Sequence, residues 1–125
     1  MKKVATREFN EMSLKRVLKT LASFNLSSVE AEIYIYLSKM GPKNAGNICG
    51  GLGLTKQQVN SALRNLKKKG IVISRPKRAT LFSVLTFNEL LDYYMKRNAE
   101  EAKAITDVRV DIVKSWREII EKNEG

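Results

Sequence analysis

The sequence predicts a mainly α chain with one small β-hairpin, and three observations predict it. Apolar residues recur at helical spacing as far as Lys69. Between Gly70 and Leu85 the period turns extended. From Phe87 to about Lys122 no glycine or proline interrupts a second helical stretch.

Each element has its own signal. Ser13 to Phe24 sets Leu14, Val17, Leu18 and Leu21 on an apolar face, with Lys15, Arg16 and Lys19 outside, and Asn25 ends that helix. Ser27 stands in capping-box relation to Glu30, opening a second helix to about Met40. Its apolar set is Ala31, Ile33, Tyr34, Ile35 and Leu37, and Gly41-Pro42 stops it. Asn44 caps a short third helix, Ala45 to about Gly51, that buries Ala45, Ile48 and Cys49. Gly53 supplies the positive φ of a tight turn. Thr55, with Gln58, forms a second capping box, Val59, Ala62, Leu63 and Leu66 make one apolar face, and Gly70 terminates the helix. Ile71-Val72-Ile73 is extended, Pro76 to Ala79 turns, and Thr80 to Leu85 returns as a strand. Thr86 caps a last helix of about 36 residues, roughly 54 Å if unbroken.

Composition narrows the function. A chain of 125 residues is one domain's worth. No apolar run reaches the roughly 18 residues that span a bilayer, and the lysines at the N-terminus precede no hydrophobic block. A cytoplasmic, nucleoid-associated protein without a membrane partner is expected. One cysteine and no histidine exclude an internal disulfide, leave no ligand set for structural zinc and remove the commonest general base, so neither metal, cofactor nor enzymatic activity is expected. The net charge of +10 is concentrated: from Ile33 to Asn88 there are ten Lys and Arg and no Asp or Glu, whereas the remainder balances at thirteen of each sign. Exclusion of acids from such a span marks a surface for a polyanion, most often nucleic acid.

Helix, helix, short helix, tight turn, capped basic helix, hairpin is the order of a winged helix-turn-helix. The recognition helix is Thr55 to Lys69 and the wing Ser74 to Thr80. On a helical wheel Gln57, Ser61, Arg64 and Lys68 point away from the apolar face. Asn and Gln can pair with adenine and Arg with guanine, and the N-terminal half of such a helix enters the groove furthest. Gln57, Asn60, Ser61 and Arg64 are therefore the candidate base readers. Thr55, Lys56, Lys67, Lys68 and Lys69 are the candidate phosphate contacts, and Arg75, Lys77 and Arg78 of the wing would ride on the backbone or enter the minor groove.

The run from Leu21 to Ser74 resembles the N-terminal DNA-binding domain of archaeal TrmB-family transcriptional regulators. Leu26-Ser27 before Glu30-Ala31, Tyr34 with Leu37, Gly41-Pro42, Ala45 and Ile48 carry the more specific part. Gly53, Val59, Leu63, Leu66 and Gly70-Ile71-Val72 are shared with winged helices at large, including MarR-type repressors. The resemblance covers about residues 21 to 95 and implies sequence-dependent binding of duplex DNA, usually as a dimer, in transcriptional control. Two departures matter. Long members carry a C-terminal effector domain, often for sugars, for which this chain has no room, so sugar sensing is not expected. Gly50 and Gly51 replace good helix formers, predicting a shorter or softer positioning helix.

Along the last helix Leu91, Asn98, Ile105, Ile112 and Ile119 recur every seven residues, joined by Met95 and Trp116, with Arg109 interrupting the seam. Leu91, Met95, Ile105, Ile112, Trp116 and Ile119 are read as dimerisation residues, in a coiled coil or against a partner's N-terminal helix. Asn98 could fix the register. The alternative is a monomer whose last helix folds back over its first. The chain is thus read as a winged-helix DNA-binding domain, residues 10–86, and a dimerisation helix, residues 87–124. The expected function is a homodimeric, sequence-specific regulator acting as a repressor, with an architectural DNA-coating protein or a protein-interaction module as alternatives. The glycine-rich GNICGGLGLTK lacks the residue order and preceding strand of a phosphate-binding loop and is set aside.

Overall fold

The computed structural model describes residues 2–97 and 99–121. In chain order the elements are α1 (Lys2–Ser23), α2 (Ser28–Met40), β1 (Lys43–Asn44), α3 (Ala45–Leu52), α4 (Lys56–Lys68), β2 (Val72–Arg75), β3 (Leu81–Val84), α5 (Phe87–Arg97) and α6 (Ala99–Glu121). They fall into two units, residues 26–86 and the two flanking segments, which hold α1, α5 and α6.

Residues 26–86 form a winged helix-turn-helix. Both expected capping boxes are present: Ser27 with Glu30 opens α2, and Thr55 with Gln58 opens α4. Each satisfies two backbone N–H donors that a bare helix start would strand. Gly41, Gly53 and Gly70 close helices at φ of +83°, +67° and +78°, conformations open to glycine because it has no Cβ. The core joins Ala31, Ile33, Tyr34 and Leu37 of α2 to Ile48 of α3, to Val59, Ala62, Leu63 and Leu66 of α4, and to Ile71 and Val72. Tyr34 is wholly buried, and its hydroxyl donates to the Leu85 carbonyl at 2.9 Å, tying α2 to the end of the wing.

The sheet is antiparallel in the order β1-β3-β2, with Val72 opposite Val84 and Arg75 opposite Leu81. The third strand, β1, adds Lys43 and Asn44 against Phe82 and Leu81. Two residues carry no readable period, so the sequence showed only the hairpin. The glycine pair also behaves differently from expectation. Helix α3 runs through Gly50 and Gly51 to Leu52, and is not shortened. At Gly51 a Cβ would sit 2.6 Å from Cζ of Tyr36, so the missing side chain is the space that the Tyr36 ring uses.

In the other unit α1 begins well before the Ser13 start expected from sequence. Ser13, Val17, Leu21 and Phe24 form its inward stripe, which leaves Leu14 and Leu18 one residue off the face and exposed, contrary to their expected core position. The uninterrupted last helix is also corrected. Phe87 stacks on Trp116 with ring centroids 4.4 Å apart, whereas one continuous helix would hold them about 43 Å apart at about 1.5 Å per residue. Helices α5 and α6 are therefore antiparallel partners within one chain. Arg109, the misfit on the seam, fastens them: its guanidinium donates to Asp92 Oδ1 at 2.8 Å, to Asn88 Oδ1 at 3.2 Å and to Met95 Sδ at 3.2 Å. Phe24 stacks on Tyr94 at 4.1 Å, the Tyr94 hydroxyl donates to the Phe24 carbonyl at 2.8 Å, and Ser13 donates to Glu118 at 2.5 Å, closing α1 onto both helices. Asn98 lies outside the described residues.

Candidate nucleic-acid interface

Helix α4 builds the candidate surface. Its rear face, Val59, Ala62, Leu63 and Leu66, is buried, which fixes the rotation of the helix about its axis. Rotation in turn decides what faces outward. Gln57, Asn60, Ser61 and Arg64 are all exposed, as are Lys56, Lys67 and Lys68. None of the four expected base readers bonds to another part of residues 26–86. Thr55 accepts the Gln58 amide at 3.1 Å through its hydroxyl oxygen, leaving the hydroxyl hydrogen to donate outward. Gln58 is exposed too, but its Oε1 is engaged in the cap, accepting from the Thr55 amide at 2.9 Å.

The end of α4 departs from its expected role. Lys69 is half-buried, and its Nζ lies 3.0 Å from Oε1 of Glu30 at the start of α2. The other oxygen of that carboxylate accepts from Asn65 Nδ2 at 3.2 Å, and Oε1 also accepts the Ser27 amide at 3.2 Å. Glu30 thus closes its own cap and grips the last turn of α4. Burial by itself pushes the Glu30 carboxyl up, but Lys69, the Ser27 amide and the Asn65 amide outweigh it and hold the group below its ordinary value of 4.5. Lys69 therefore belongs to an internal ion pair in this structure, while Lys67 and Lys68 remain outward. The capping box marked Glu30 in the sequence. Its partners, 35 and 39 residues away, left no local signal.

The wing carries Arg75 at the end of β2 and Lys77 and Arg78 in the following turn, all exposed. Residues 26–86 hold ten basic side chains against two acidic ones, Glu30 and Glu32, and Glu30 is buried and paired. Almost the entire positive charge of this unit is therefore unopposed at its surface. The expected dimerisation residues stand elsewhere. Leu91, Ile105, Ile112 and Trp116 are buried among α1, α5 and α6, and Met95 and Ile119 are half-buried. The four buried ones pack within one chain, and the other two are only partly covered.

The family model described as sugar-specific transcriptional regulator TrmB matches residues 21–88, more than half of the chain. The chain belongs to the TrmB family. Solved structures agree on the fold of this TrmB-family chain. The transcriptional regulator Tm0710 from Thermotoga maritima is 21% identical with a TM-score of 0.61, over 98% of this chain and 96% of that one. TrmBL2, an archaeal chromatin protein, is 18% identical with a TM-score of 0.57, over 90% of this chain and 46% of that one. No curated protein matches in sequence. The family and these neighbours are regulators and DNA-binding proteins, not enzymes. Among the described residues no helix is long and apolar enough to cross a membrane.

Proposed function

We propose that this TrmB-family chain is a sequence-specific regulator that binds duplex DNA as a homodimer and represses by occupying its site. In this reading residues 26–86 act on DNA, and α1, which the expected boundaries of 10–86 and 87–124 assigned to the DNA-binding part, serves assembly together with α5 and α6. The supporting observation is the outward face of α4: Gln57, Asn60, Ser61 and Arg64 stand exposed, with no acidic residue anywhere along that helix. Amides and a guanidinium at the leading half of a rigidly held helix have the donor and acceptor geometry for base edges in the major groove. Lys56, Lys67 and Lys68 flank them at phosphate-binding positions, and Arg75, Lys77 and Arg78 extend the cationic surface to the backbone or minor groove.

A second reading is a chromatin-type protein that coats DNA with little sequence preference; TrmBL2 is described as an archaeal chromatin protein. The same cations would serve it, without the base readers. Selection of bound duplexes from a random pool separates the two. An enriched palindromic site, bound at least tenfold less tightly by Arg64→Ala while random duplex binding changes little, supports the regulator. An unenriched pool, or equal loss on both duplexes, supports the coating protein.

A further inference from the structure

Gln58 is not among the expected base readers, yet the structure gives its side chain a property that none of those four has. The residue is exposed on α4, directly after Gln57 and one turn before Ser61. Its Oε1 accepts the Thr55 amide at 2.9 Å, and its own backbone amide donates to Thr55 Oγ1 at 3.1 Å. A carboxamide is planar, so turning its oxygen to the helix backbone also fixes its nitrogen. The Nε2 amino group is thereby held at the exposed edge of α4 with two N–H donors, and it bonds to no other described residue. We infer that Gln58 is a specificity-determining residue that reads a base through donors alone. The inference rests on the regulator reading above and adds to it a residue and the class of base it selects.

The side chains of Gln57 and Asn60 bond to no described residue, so each still offers a donor and an acceptor, the combination that adenine N6 and N7 require. Gln58 has only donors to offer. It suits a base edge made of acceptors, which in the major groove means N7 and O6 of guanine or O4 of thymine. Facing adenine N6 or cytosine N4 it would set donor against donor and leave N–H groups unpaired as water is expelled. The hold on the side chain sharpens this choice. A free glutamine gives up rotamer freedom on binding, whereas the cap has already restricted Gln58, and the amide cannot turn over to suit another base without breaking its bond to Thr55. A phosphate would also accept from Nε2, but Lys56, Lys67 and Lys68 already supply exposed cations for the backbone, and a neutral amide neutralises no phosphate charge.

Gln58→Glu separates reading from capping on the full-length protein. A carboxylate still accepts the Thr55 amide and favours a helix start, so circular dichroism should show wild-type helicity and a melting temperature no lower than wild type. Its second oxygen then faces outward as an acceptor where the donor stood. Duplexes selected from a random pool by wild type and by the variant should differ at one position of the site. There the preference should move from guanine or thymine to cytosine or adenine, by about tenfold in relative affinity, with the other positions unchanged. Gln58→Ala, which has neither function, should lose the preference at that position without reversing it. An enriched wild-type site whose base preferences all persist in Gln58→Glu overturns the inference and leaves the regulator reading standing. Weaker binding to every duplex with all preferences kept overturns it too, and would place the amino group on a phosphate. An unenriched wild-type pool removes the regulator reading itself, and this inference with it.

Discussion

Lys69 Nζ lies 3.0 Å from Glu30 Oε1, joining the end of α4 to the first turn of α2. Three lysines in a row thus divide: Lys67 and Lys68 face outward, and Lys69 holds the helix in place. Each outward lysine that neutralises a phosphate should contribute to the salt dependence of DNA binding. Replacing Lys67 or Lys68 by Ala should lower the slope of log affinity against log salt by about 1. Lys69→Met should leave the slope unchanged while reducing stability by about 1–3 kcal/mol, because a largely buried carboxylate loses its cation. A slope reduced equally by Lys69→Met would place that lysine on the DNA.

Glu30 also predicts a pH dependence. Its carboxyl is held below 4.5 in the folded chain, so the folded state binds this proton less readily than the unfolded state. The stabilisation is therefore complete above about pH 5 and fades as pH falls through and below 4.5. Urea unfolding of wild type and Glu30→Gln between about pH 3 and pH 7 should show a stability gap that narrows toward the acid end. A gap constant across that range would mean that the carboxylate charge contributes nothing.

The two adjacent glycines of α3 should respond in opposite directions. No atom lies within 4 Å of a Cβ built on Gly50, and its backbone is helical, so Gly50→Ala should stabilise by about 0.5–1 kcal/mol. At Gly51 the Tyr36 ring occupies the space, so Gly51→Ala should destabilise by about 1–3 kcal/mol. Combining it with Tyr36→Ala should cancel most of that additional cost. Thermal unfolding of wild type, the three single variants and the double variant measures both statements, and additive losses in the double variant would remove the Tyr36 explanation.

Trp116 reports on the α5–α6 pairing. Its stack on Phe87 exists only if the two helices run back along one another. Trp116→Ala should cost about 3–5 kcal/mol, as for a large aromatic removed from a core. Arg109→Ala should cost about 1–2 kcal/mol by releasing its bonds to Asp92 and Asn88. Changes in tryptophan fluorescence on Phe87→Leu would confirm the ring contact directly, and an unchanged spectrum would contradict it.

The sequence alone settled several features that are decided within a few residues. Ser27 with Glu30 and Thr55 with Gln58 announced two helix starts, glycines at 41, 53 and 70 announced their ends, and Val59, Leu63 and Leu66 fixed which face of α4 turns outward. Those features depend on backbone geometry and helical period, both of which are local. The charge asymmetry was equally legible, since it is a property of composition. Long-range choices were not. Residues from Phe87 onward keep an apolar stripe with the same helical period whether they run as one rod or double back, and only the side chains across the bend decide between them. Leu91, Ile112 and Trp116 are apolar for either use, and the stack on Phe87 with the Arg109 anchor selects the internal one. Likewise Lys67, Lys68 and Lys69 are the same residue in sequence. Their division into outward cations and an internal tether exists only because α2 brings Glu30 beside the last turn of α4, where a half-buried ammonium gains more from a fixed carboxylate than from water.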